Sequence, residues 1–111
     1  MLYVDKNNNI RLTRGDTAKF VVYVKDESTK QSYNILSSDT LTMTIKDSIR
    51  DGEACVQKTI VGSNSFHILP FDTKDLNFGK YVYDIQLTTS AGDVYTVVEP
   101  STFELMEEVT Y

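Results

Sequence analysis

Apolar and polar residues alternate along most of this chain, the pattern of strands that bury one face. The clearest segment is 41–45, in which Leu41, Met43 and Ile45 are separated by threonines. Longer amphipathic segments with helical spacing are not evident. The alternation predicts strands over 18–24, 41–46, 54–61, 66–68, 81–88, 94–99 and 103–106.

Short polar stretches, each centred on a glycine, separate these segments. Glycine reaches positive φ at low cost, which turns require. The predicted turns lie at Gly15, Gly52, Gly62, Gly79 and Gly92. Strands that recur roughly every 8–14 residues predict an all-β fold, an immunoglobulin-like antiparallel β-sandwich of about seven or eight strands. At 111 residues the chain has the length of one domain, so residues 1–111 are taken as a single sandwich.

The inward positions of the predicted strands define the expected hydrophobic core. Its members are Phe20, Val22, Val24, Leu41, Met43, Ile45, Val56, Phe66, Ile68, Tyr81, Tyr83, Ile85, Leu87 and Phe103. One helical turn is expected over 72–76, where Asp72 would cap the turn by accepting from the N–H groups that follow it.

The segment 76–81 has the residue order of a tyrosine corner, a structural motif of immunoglobulin-like sandwiches. Leu76 and Gly79 precede Tyr81, which begins a predicted strand. We therefore expect the Tyr81 hydroxyl to donate a hydrogen bond to a backbone group upstream.

Composition narrows the classes of partner. Eleven Lys and Arg against sixteen Asp and Glu give a net charge of −5. This negative net charge disfavours nucleic acid as a partner, because proteins that bind nucleic acid usually present a basic surface. The longest apolar run, 20–24, is far shorter than the roughly 20 residues of a membrane span, so no membrane contact is expected. A single cysteine excludes an intrachain disulfide and favours synthesis in a reducing compartment.

Catalytic and metal-binding motifs are weak. His67 is the only histidine, and no Gly-x-Ser-x-Gly motif accompanies it. Cys55 is expected to pack as a small apolar side chain. Helix capping explains the oxygen-rich segment 72–77 better than a calcium site does. We predict no catalytic residue, no metal ligand and no cofactor, and we expect Arg14-Gly15-Asp16 to form an ordinary turn.

Two of the seven tyrosines are candidate interface residues. Tyr23 falls on the outward face of its predicted strand, and Tyr95 falls on a predicted edge strand. Tyrosine is enriched at protein interfaces because it buries a large area at low entropic cost. It also favours strands in general, so a purely structural role for either residue stays open.

With the strands placed, the chain resembles the immunoglobulin-like domain at the N-terminus of phage baseplate upper proteins, found in phages and prophages of Gram-positive bacteria. The resemblance covers roughly residues 10–110, over nearly the whole chain. The segments that carry it are 14–18, 39–42, 66–68, 70–76, 78–87, 92–97, 100–105 and 107–110.

The resemblance implies a non-enzymatic structural or assembly module of the virion, in the tail or baseplate. Such a module acts through contacts with other virion proteins or with further copies of itself. Its implied location is the virion, or the bacterial cytoplasm where a prophage expresses it. The alternative is a β-sandwich that binds glycans or cell surfaces.

Overall fold

The structure is a computed structural model that describes residues 2–4, 8–25, 31–48 and 52–107. Residues 108–110, the last of the segments named for the resemblance, lie outside the described residues. The strands and the single helix are β1 (Leu2–Val4), β2 (Ile10–Thr13), β3 (Ala18–Val21), β4 (Val24–Lys25), β5 (Ser32–Tyr33), β6 (Thr40–Lys46), β7 (Val56–Val61), β8 (Ser65–Ile68), α1 (Pro70–Thr73), β9 (Gly79–Thr88) and β10 (Val94–Met106).

A six-stranded sheet in the order β1-β2-β10-β9-β6-β7 dominates the molecule. Its neighbours are antiparallel except for β2 and β10, which are parallel. The expectation of a purely antiparallel arrangement is therefore wrong, because this sheet is mixed. Parallel partners are distant in sequence, and side-chain alternation records which face is buried but not the direction of the neighbouring strand.

Two short antiparallel pairs, β3–β8 and β4–β5, complete the strands of the described residues. The all-β class is confirmed. The core lies on one face of the large sheet, where Leu41, Met43 and Ile45 of β6 stand opposite Leu87, Ile85 and Tyr83 of β9. These paired positions are almost completely buried, as the alternation predicts.

The predicted core is correct at its centre and wrong at its margin. Phe20, Val24 and Val56 are only partly buried and pack against the outside of the core. Conversely, Ile10 and Leu12 of β2 are fully buried, although β2 is absent from the predicted strands. The parallel contact with β10 buries β2, and a four-residue strand has too few positions for a clear alternation.

The structure has more strands than the predicted seven or eight, with ten in the described residues. The predicted strand 18–24 is interrupted at residues 22–23, which gives β3 and β4. The two predicted strands 94–99 and 103–106 form one strand, β10, with irregular pairing before and after Val98. Pro100 is accommodated there because an edge position does not need its missing N–H group.

The predicted helical turn is displaced toward the N-terminus. The helix α1 begins at Pro70, whose fixed φ suits the first helical position. Asp72 lies inside the turn, and its Oδ2 accepts from the backbone N–H of the preceding Leu69 at 2.7 Å. The expectation that Asp72 accepts from following N–H groups is wrong. The same oxygen lies 2.7 Å from Lys58 Nζ, which ties α1 to β7.

Phe66→Ala should lower the free energy of unfolding by about 3–5 kcal/mol, since its fully buried ring leaves a cavity. Phe20→Ala should cost clearly less, because Phe20 stacks on Phe66 at 5.5 Å but stays partly in water. Chemical denaturation of both variants measures the difference. Equal losses would show that the core boundary is placed wrongly.

Candidate functional site

Some of the exposed apolar side chains lie on segments at one end of the large sheet. Val94 begins β10 opposite Thr88, and Thr88 in turn stands opposite Thr40 at the start of β6, so these positions share one end. Four exposed side chains lie on the start of β10 or on the segments next to β4, β5 and β6. The half-buried Tyr33 of β5 stands opposite Val24 and interacts with Tyr95. We call this set the tyrosine surface, and its members are Tyr23, Tyr33, Leu36, Val94 and Tyr95.

The buried Asp39 side chain forms hydrogen bonds with two residues of the tyrosine surface, Tyr33 and Leu36. It is only 1% exposed, and its Oδ2 accepts from the Tyr33 hydroxyl at 2.6 Å and from the Leu36 N–H at 2.9 Å. Its own N–H donates to the Leu36 carbonyl, and its carbonyl accepts from Gly62. A buried carboxylate with several donors fixes the groups that surround it. Asp39 thereby holds the β5–β6 connection in one conformation.

Tyr33 connects the two tyrosines singled out from the sequence. It stands opposite Val24, the residue that follows Tyr23, and it lies close enough to Tyr95 for their charges to interact. Its hydrogen bond to Asp39 raises the pKa of Tyr33 above the ordinary 10.0, and desolvation and the nearby charges of Asp39 and Tyr95 add to the rise. Tyr33 therefore stays neutral and keeps donating to Asp39 throughout the physiological pH range.

Both candidate interface tyrosines are exposed: Tyr23 is 86% and Tyr95 is 55% accessible. Leu36 and Val94 are exposed to a similar extent. Exposed tyrosine and aliphatic side chains suit protein contact, because tyrosine combines an apolar ring with a polar tip. The arrangement supplies binding area rather than a reactive group.

The predicted tyrosine-corner residues lie at the opposite end of β9. The Tyr81 hydroxyl donates to the backbone carbonyl of Asn77 at 2.8 Å, four residues upstream. Gly79 begins β9 with φ of +133°, a conformation that strains side-chain-bearing residues. Leu76 packs against the core margin. The structure thus brings Leu76, Gly79 and Tyr81 together, but apart from the tyrosine surface.

The Arg14-Gly15-Asp16 segment is a turn held against the region around α1. Arg14 Nη1 donates to the Leu76 carbonyl at 2.9 Å, and its guanidinium lies 4.2 Å from the centre of the Phe78 ring. The Gly15 N–H donates to Thr73 Oγ1. These contacts give the turn a structural role.

A shallow groove of about 460 Å³ lies on the outer face of the large sheet. Its polar lining includes Thr44, Lys46, Gln57, Asp84 and Gln86. Gln57 is oriented by donating to Thr44 Oγ1 at 3.1 Å. Hydroxyl, amide and carboxylate groups on an open strand face can hydrogen-bond a polar ligand.

The two residues considered for catalysis, His67 and Cys55, are both exposed. His67 is exposed on β8. Cys55 is also exposed, so the expectation that it packs as an apolar residue is wrong. It precedes β7, and the alternation of that strand does not extend to it. Within the described ranges, no three His, Cys, Asp or Glu side chains are grouped to hold a metal ion. None of the described helical structure is long and apolar enough to cross a membrane.

Comparisons with protein-family models, curated proteins and solved structures return no match to this chain.

Sequence reasoning did not identify Tyr33 and Leu36 as parts of the tyrosine surface, or Asp39 as the residue that supports it. A weak signal exists for Asp39, because an aspartate just before a strand often accepts from nearby turn N–H groups. Its contact with Tyr33 depends on how β5 packs, and β5 has only two residues.

The Tyr33–Asp39 hydrogen bond should make stability depend on alkaline pH. The folded pKa of Tyr33 is raised, so its contribution is complete below the unfolded pKa and is lost as pH rises through the folded value. The difference in unfolding free energy between wild type and Tyr33→Phe should therefore shrink above about pH 10. Urea denaturation between neutral and alkaline pH measures it. A difference that stays constant to pH 12 would contradict the assignment.

Proposed function

We propose that this chain is a non-enzymatic structural or assembly module of a phage or prophage particle, associated with the tail or baseplate. It acts by contacting other particle proteins through the tyrosine surface. The observation that carries the proposal is the exposure of Tyr23, Leu36, Val94 and Tyr95 on the segments around Tyr33, which the buried Asp39 holds by a hydrogen bond. Exposed apolar groups of this kind mark protein contacts.

The finer fold that we propose is an immunoglobulin-like sandwich. The order β10-β9-β6-β7 corresponds to strands G, F, C and C′ of that fold, with β3 and β8 in the places of B and E. The hydrogen bond from Tyr81 to Asn77, directly after the connection from β8 to β9, supports the same assignment as a tyrosine corner.

The resemblance in sequence to the N-terminal domain of baseplate upper proteins supports the setting in a particle. Its segments include 92–97, which contributes Val94 and Tyr95 to the tyrosine surface, and 39–42, which contains the supporting Asp39. The proposed location is accordingly the virion, or the bacterial cytoplasm during expression from a prophage. The proposed partners are neighbouring virion proteins.

A second candidate function is glycan binding on the outer face of the sheet. The groove lined by Gln57, Asp84 and Gln86 favours it, because amides and carboxylates bind sugar hydroxyls. The protein-contact proposal is preferred because the tyrosine surface contains large exposed apolar side chains, and none of the residues that line the groove is one.

The double variant Tyr23→Ala/Tyr95→Ala should weaken capture of a tail or baseplate protein encoded beside this chain. The expected loss is about tenfold or more, because aromatic side chains dominate interface energetics. Phe71→Ala is the matched control, since Phe71 is a similarly exposed aromatic residue outside the surface. Pull-down followed by titration calorimetry measures both variants.

Capture of none of these proteins would overturn the proposal, as would equal losses in the double variant and the control. A specific hit on a glycan array that Asp84→Ala abolishes would favour the second candidate instead.

A further inference from the structure

Strand β7 presents an unpaired edge. It is an edge strand of the large sheet and pairs with β6 along its full length. No other strand of the described residues pairs with it. Just beyond β7, Gly62 stands opposite Asp39 in the same register, and the Gly62 N–H donates to the Asp39 carbonyl. Because ladder bonds alternate along an antiparallel pair, Lys58 and Ile60 also direct their backbone groups toward β6. The backbone groups of Gln57, Thr59 and Val61 therefore point away from the sheet.

Other strand edges in the described residues are short or irregular, which limits pairing with another chain. The first part of β10 carries two pairing irregularities and Pro100. Strands β1, β3 and β8 have three or four residues each. By contrast, β7 has six regular residues, with neither proline nor glycine. Lys58 is the only residue of β7 of a kind that natural edge strands use to prevent pairing.

The charge on β7 suits a second copy of the same strand. Lys58 is its only charged residue, and the salt bridge to Asp72 at 2.7 Å neutralises it. The exposed row consists of Gln57, Thr59 and Val61, which carry no charge. An identical edge can therefore approach without placing like charges together, provided that the two Lys58 side chains do not stand opposite each other.

We propose that two copies of this chain associate through β7, antiparallel and about a two-fold axis at Thr59. In this register Thr59 stands opposite its own copy, and Gln57 stands opposite Val61 of the other chain. The outward backbone groups of all three residues are then paired. A shift to the register centred on Lys58 would oppose two lysines, which is unfavourable.

The result is a closed dimer in which the two large sheets form one continuous sheet. A two-fold interface uses the same patch on both chains, so it leaves no β7 edge for a third copy. None of the five residues of the tyrosine surface lies on β7. The inference adds to the proposed function and does not depend on it.

Light scattering after size-exclusion chromatography tests the pairing, at concentrations up to about 1 mM because a single strand pair forms a small interface. Wild type should be dimeric at high concentration. Thr59→Lys places two lysines opposite each other at the axis and should give a monomer. Gln86→Lys, at an exposed position on the same face of the central strand β9, is the matched control and should remain dimeric. Thermal unfolding verifies that both variants fold.

Cross-linking tests the register. In a Cys55→Ser background, Thr59→Cys should form a disulfide-linked dimer on oxidation, because opposed residues of a strand pair have Cα atoms about 5.5 Å apart. Gln86→Cys should not. A strict monomer at all concentrations would overturn the proposal. So would a dimer that persists in Thr59→Lys, one that fails to cross-link at residue 59, or an open-ended polymer. Each of these outcomes leaves the capture of particle proteins by the tyrosine surface separately measurable.

Discussion

Every backbone N–H and C=O group of a strand needs a hydrogen-bond partner or contact with water, and this constraint governs the molecule. Strands β6 and β9 are paired on both sides and carry the centre of the core. Within the described residues, strand β7 is paired on one side, and β10 is paired on both sides only near its C-terminal end, where Phe103 to Leu105 face both β2 and β9. At its edges the sheet therefore has backbone N–H and C=O groups that can bind other molecules. Its central strands, β6 and β9, provide the rigid support.

The central strands were predictable because each buries one face. Alternation alone identifies β6 and β9, and it places Leu41, Met43, Ile85 and Leu87 in the core. It fails for β2, whose burial comes from a parallel partner far away in sequence. It also divides β10 at Pro100, because a local pattern does not reveal that an edge position tolerates a missing N–H group.

The candidate surface was predictable only in part. Tyr23 and Tyr95 follow from their places on an outward face and a strand edge, since exposure has a local signature. The support from Asp39 to Tyr33 does not, because it requires a two-residue strand to pack beside the start of β6. Likewise, the open edge of β7 depends on strand order, which side-chain alternation leaves undetermined. Tertiary placement, and not residue type, makes these positions available to a partner.

Residue-resolved amide hydrogen exchange of β7 tests the central claim most directly, since it reports which backbone groups lack a protein partner. In dilute solution the amides of Lys58 and Ile60 should exchange slowly, and those of Gln57, Thr59 and Val61 should exchange rapidly. Raising the protein concentration should slow the three rapid amides and leave the other two unchanged. Uniformly slow exchange along β7 in dilute solution would contradict an open edge. Rapid exchange of Gln57, Thr59 and Val61 that does not slow as the protein concentration rises would contradict pairing of two copies through β7.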